Sequence, residues 1–99
     1  MPIVLVVDYQ LIASVFVAFE AALHLFPNDP MITRNYALAL IESGNFFHGI
    51  NLQLKLLKLF PFLGDTNYEL KHNIISGVHL KKLSENELNI LQKELMDLE

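Results

Sequence analysis

Apolar residues recur along this chain in blocks separated by proline, glycine and asparagine. Within most blocks their spacing is helical. Tyr9–Phe26 reads as a helix that stops at Pro27. Asn28, Asp29 and Pro30 form a turn cluster, and Pro30 suits the first turn of the next helix, Met31–Ser43. Gly44 and Asn45 break that pattern, and Gly44 is able to take the left-handed conformation that closes a helix. A third helix, Phe46–Phe60, ends at Pro61 and is followed by Gly64 and Asp65. Thr66 with Glu69 has the spacing of a capping box for a fourth helix, from Asn67 to about Lys82. Ser84 with Glu87 repeats that spacing before a fifth, Glu85–Leu98, in which Leu88, Leu91, Leu95 and Leu98 form an apolar stripe. The first block differs. Met1–Val7 is a β-branched run after Pro2 and reads as a short strand or an extended arm, although no strand partner follows it. About five helices joined by short turns make the expected fold class all-α.

Composition narrows this picture. The 99 residues suffice for one small domain, and 53% of them are hydrophobic against 18% charged. So apolar a small chain implies a large core or an apolar surface meant for another chain. The formal net charge of −4 argues against a nucleic-acid partner, which needs a basic face. Charge is also segregated. Between Lys55 and Lys82 five lysines oppose Asp65 and Glu69, whereas after Ser84 a single Lys93 opposes five acids. Two solvated helix faces that attract each other account for this, with a lysine patch for an acidic partner or membrane surface as the sharper reading. The absence of cysteine excludes disulfides and thiolate metal sites. No positive charge precedes Met1–Val7, so it lacks the pattern of a secretory signal. The run Leu11–Phe19 is too short to span a bilayer, and no membrane insertion is expected.

Comparison of the chain with itself is more informative. Pro27 and Pro61 lie 34 residues apart. At that offset Leu23, Leu25, Phe26 and Pro27 recur as Leu57, Leu59, Phe60 and Pro61. The stretch between the prolines carries Asn35-Tyr36-Ala37-Leu38-Ala39-Leu40, then Gly44, Asn45 and Phe46, then Leu59-Phe60-Pro61. Ala37 is small where two helices approach, Gly44 and Asn45 permit a tight turn, and Phe46 fills the hairpin. A 34-residue period made of two helices resembles the tetratricopeptide repeat. Two places depart from the pattern: Gly49 stands where alanine is usual, and Gln53 where a large aromatic is usual. The resemblance implies a right-handed solenoid of antiparallel helix pairs. It divides the chain into a truncated repeat (1–27), a complete repeat (28–61) and a divergent helical cap (62–99). Within the superfamily, Phe19–Pro30 and Asn35–Asn45 are similar to the last repeats of a tetratricopeptide subunit of the BBSome, the ciliary cargo coat. That closer likeness implies a cytoplasmic protein at the ciliary base or centriolar satellites.

Such a fold implies a protein-binding scaffold rather than an enzyme. A single repeat cannot bury its own apolar faces, which stacked neighbours normally cover. The helix over Tyr9–Phe26 is apolar nearly all round, so its outer side, with Leu11, Val15, Phe16 and Phe19, is expected to take an upstream repeat, a second copy or another protein. By resemblance, the groove face carries Met31, Arg34, Asn35, Leu38, Ile41 and Glu42. Arg34 offers a fork of donors to a carboxylate, and Asn35 suits a peptide backbone, which defines an alternative reading as an adaptor for acidic or C-terminal peptides. A solvated arginine and a capping or backbone-bonding asparagine are the simpler account of both residues.

Catalytic patterns are thin. Glu69-x-x-His72 has the spacing of half a di-iron bundle site, but the matching pair and further carboxylates are missing, so a metal-dependent bundle enzyme stands as the least supported reading. His24, His48 and His79 read as surface histidines. No serine sits in a nucleophile elbow, and no glycine-rich phosphate loop occurs. No cofactor or metal is expected.

Overall fold

The computed structural model describes residues 2–98, with side chains from Ser14 to Leu98. It is all-helical: α1 (Pro2–Leu25), α2 (Pro30–Glu42), α3 (Phe46–Leu59), α4 (Gly64–His79) and α5 (Glu85–Leu98), with no strand among the described residues. The extended arm expected over Met1–Val7 is overturned from Pro2 onward, because α1 begins there. Proline tolerates the first helical position, where its missing N–H costs nothing. Continuing the helix also pairs backbone groups that a lone arm would leave without partners.

Local chemistry sets the other ends. Asp29 caps α2, its Oδ1 accepting from the Ile32 amide at 2.9 Å, and Thr33 Oγ1 donates to the Asp29 carbonyl at 2.9 Å. Gly44 closes the same helix at φ 97°, with the Asn45 amide on the Leu40 carbonyl at 2.8 Å and the Gly44 amide on Ile41 at 3.0 Å. That is the paired bonding of a Schellman turn. The second capping box forms as expected: Glu87 N donates to Ser84 Oγ at 3.1 Å, and Ser84 N to Glu87 Oε1 at 2.9 Å. The first does not. α4 starts earlier, at Gly64, with no side-chain cap. Thr66 is buried, and Glu69 is instead held by Arg34 of α2. A long-range ion pair has displaced the local bond.

The core is organised around α3, which packs against α2, α4 and α5, whereas α1 rests on α2. Ile50, Leu54 and Leu57 of α3 meet Ile41 of α2, Leu70 of α4 and Leu91 of α5 in one cluster. Leu91, fully buried, anchors α5, and a leucine so placed stabilises by about 2–3 kcal/mol. Lys58 of α3 also donates to Glu94 of α5, an exposed link between the basic and acidic segments. Buried among the apolar residues lies a polar pair, Asn73 Nδ2 donating to Gln53 Oε1 at 3.3 Å between α4 and α3. The molecule measures 46 × 34 × 20 Å, and its thin dimension equals about two helix diameters.

Candidate functional site

Two surfaces gather the residues singled out in the sequence. The first is α1, whose two long faces have different fates. Its inner side holds Phe16 and Phe19, both half-buried. Their rings lie 5.9 and 5.4 Å from that of Tyr36 on α2, the second pair stacked. Both had been expected on the open side, but the large buried ring of Tyr36 draws them inward. The Tyr36 hydroxyl donates to Glu20 Oε1 at 2.9 Å, and burial, with that hydrogen bond and the nearby carboxylate charge, pushes its pKa up to about 12. The outward side is instead Ser14, Val17, Ala18, Ala21 and Leu25, all exposed. Val17 is 66% and Leu25 72% exposed, against 40% for Val15 at the edge. The side chain of Leu11 lies outside the described residues.

The second surface is the exposed side of α2 and the entrance to α4. Met31, Asn35 and Glu42 are exposed there, and Leu38 is half-buried. Ile41 was expected on this face but is buried in the core, where it fills the interface with α3. Arg34 is not free: its Nη2 donates to Glu69 Oε1, and the hydrogen bond and charge of Glu69 raise its pKa further. Beside this pair a cleft of about 430 Å³ opens between the first turns of α2 and α4, bounded by Met31, Arg34, Phe62, Leu63 and Asp65. Phe62 is 98% exposed. The pattern of helices and turns in the sequence does not single it out. The signal available was a bare aromatic between Pro61 and Gly64, where no helix could bury it.

The residues weighed for metal chemistry are dispersed. Glu69 is engaged by Arg34, and the His72 ring stacks on Tyr68 one turn away, centroids 6.4 Å apart. The His48 ring sits edge-on to Tyr36. Among the described residues no group of three histidine, aspartate or glutamate side chains converges as a metal site. No helix among them is long and apolar enough to cross a membrane. No protein-family model, curated protein or solved structure matches the chain.

Proposed function

We propose that this chain is a non-catalytic interaction module of the tetratricopeptide kind, a scaffold element that docks within a larger assembly through α1. The observation that carries the reading is the outward side of α1, where Val17, Ala18, Ala21 and Leu25 meet solvent although nothing polar covers them. Contiguous exposed apolar surface on a small domain is the ordinary mark of an interface. Two further features support the repeat reading. The 34-residue period falls on a helix pair, α2 and α3, packed along its length. α1 packs on α2 and α4 on α3, each on its neighbour in the chain as in a stack of repeats, whereas α5 reaches back to α3.

The module reading implies a protein partner in the cytoplasm and no nucleic acid. The likeness to a BBSome subunit extends the proposal to the ciliary base and centriolar satellites, which localisation of a tagged chain in ciliated cells tests. The interface is tested with Val17→Asp, since Val17 touches solvent and its replacement spares the core. Native complexes purified on the tagged chain are expected to lose their partners in the variant, while the melting curve stays put. Partners retained at wild-type levels would refute the assignment of α1.

The cleft between Met31 and Phe62 favours a second reading, an adaptor for an acidic or C-terminal peptide. There a peptide carboxylate has to displace Glu69 from Arg34, so Glu69→Gln is expected to tighten peptide binding and Arg34→Ala to abolish it.

A further inference from the structure

Arg34 is the one basic residue, among the described residues, that lines the cleft between the first turns of α2 and α4, and Glu69 already holds it. The hydrogen bond and charge of Glu69 raise the pKa of Arg34, burial opposes them, and the charge of Asp65 adds to them. One guanidinium thus lies in the field of two carboxylates. Asp65 lines the cleft, is exposed, and makes no ion pair among the described residues. Two helix N-termini border the cleft, each worth about half a positive charge. Asp29 already satisfies the end of α2 by accepting from the Ile32 amide, so only the end of α4 stands against Asp65. The cleft keeps a surplus of negative charge, although the most conspicuous side chain in it is a cation.

The walls suit a planar cation. Phe62 is bare to solvent, Met31 is 70% exposed, and Leu63 adds a half-buried apolar side chain. An aromatic face attracts a cation through its quadrupole, and a guanidinium can lie flat on it where an ammonium cannot. The thioether of Met31 is polarisable and adapts to what it touches. A volume of about 430 Å³ stands low in the range of ligand pockets, about 300–1,000 Å³, with room for a side chain or two rather than for a helix. We propose that this cleft binds an arginine side chain of a protein partner, with the guanidinium stacked on Phe62 and paired with the Asp65 carboxylate while Arg34 stays on Glu69. The planar fork of arginine matches a carboxylate as well as an aromatic face. The net charge of −4 on the chain draws a basic partner from a distance. An acidic peptide, by contrast, reaches Arg34 only by evicting Glu69, whereas an arginine meets the cleft as it stands. The site goes beyond the docking of α1 and does not depend on it.

Titration of the isotope-labelled chain with N-acetyl-arginine amide, followed through the backbone amide shifts, tests this. Saturable shifts are expected at Phe62, Leu63, Gly64, Asp65 and Thr66, weaker with the lysine amide and absent with the glutamate amide. Phe62→Ser and Asp65→Asn are each expected to weaken binding by roughly 2- to 5-fold, the worth of an exposed cation–π contact or ion pair. Both positions are exposed, and circular dichroism melts check that the variants keep the fold. Arg34→Ala frees both carboxylates and is expected to tighten arginine binding by a similar factor, the opposite of its effect on an acidic ligand. The absence of a saturable shift with the arginine amide overturns the site, and equal binding of the lysine amide overturns its assignment to arginine. A preference for the glutamate amide that disappears in Arg34→Ala overturns the proposal and gives the cleft to acidic peptides. Partner loss on Val17→Asp decides the docking of α1 separately in every case.

Discussion

Gly49 stands where the repeat pattern favours alanine, a choice that lowers helix propensity by about 1 kcal/mol. The structure supplies the reason. A Cβ built on Gly49 falls 2.6 Å from Ile41 Cγ1 and 2.7 Å from the Ala37 carbonyl oxygen, so α2 and α3 touch backbone to backbone here. A carbonyl cannot swing aside as a side chain can. Gly49→Ala is expected to destabilise the fold by about 1–2 kcal/mol in urea unfolding, overpacking outweighing the gain in propensity. Tyr36 makes a second residue-level prediction. Its folded-state pKa lies near 12, above the ordinary 10.0, so the folded state holds the phenol proton more tightly than the unfolded chain does. The corresponding stability is fully present below pH 10, declines above it and is gone once pH has passed 12. Among the three tyrosines and no tryptophan, ultraviolet titration should reveal one phenol ionising last. Tyr36→Phe should remove that step together with the alkaline loss of stability.

At the scale of the element, turns and caps decide where helices end. α4 closes on Lys81 at φ 57°, with the Lys82 amide on the Gly77 carbonyl at 2.8 Å and the Lys81 amide on Val78 at 3.1 Å. This is the bonding that Gly44 gives α2, made here by a residue with a Cβ that disfavours it. Lys81→Gly is expected to stabilise by about 0.5–1 kcal/mol, read as a rise in melting temperature. Ends of this sort were legible in the sequence where their chemistry is local. The Asp29–Pro30 start of α2, the Gly44 turn and the Ser84–Glu87 box depend only on residues close together in the chain, and all stand where the pattern put them. Features set by distant neighbours were not legible. Glu69 had the right spacing to cap α4, but nothing local announced Arg34 as its partner. Phe16 and Phe19 belong to a helix apolar on every side, so periodicity could not say which side would meet Tyr36. Ile41 was misplaced for a related reason: one apolar residue on α2 looks like another until the packing of α3 chooses between core and groove.

At the scale of the molecule, the helices form a slab 20 Å thick rather than a ball, and each of them has a side turned to solvent. Those sides are not equivalent. On α3 the exposed positions are His48, Lys55, Lys58 and Leu59, whereas the described outer side of α1 is Ser14 followed by valine, alanine and leucine. α3 is the hub, and among the described residues its cluster of Ile50, Leu54, Leu57, Leu70 and Leu91 includes none of α1. The 34-residue period found in the sequence coincides with the boundary of the α2–α3 pair. The segment beyond Pro61 wraps back to seal that pair, through Leu91 and through Lys58 with Glu94.

Among the described residues α1 packs chiefly on α2, which divides the chain into units of unequal durability. The hub can persist while the first helix lifts away, because Phe16 and Phe19 on Tyr36 and the bond of Tyr36 to Glu20 are the fastening at issue, and none of these residues belongs to the core cluster. Occupation of the outer side of α1 therefore acts on order as well as on contact. A partner that holds this helix in place also closes the route by which the chain would begin to come apart, so binding and survival against proteolysis become a single equilibrium.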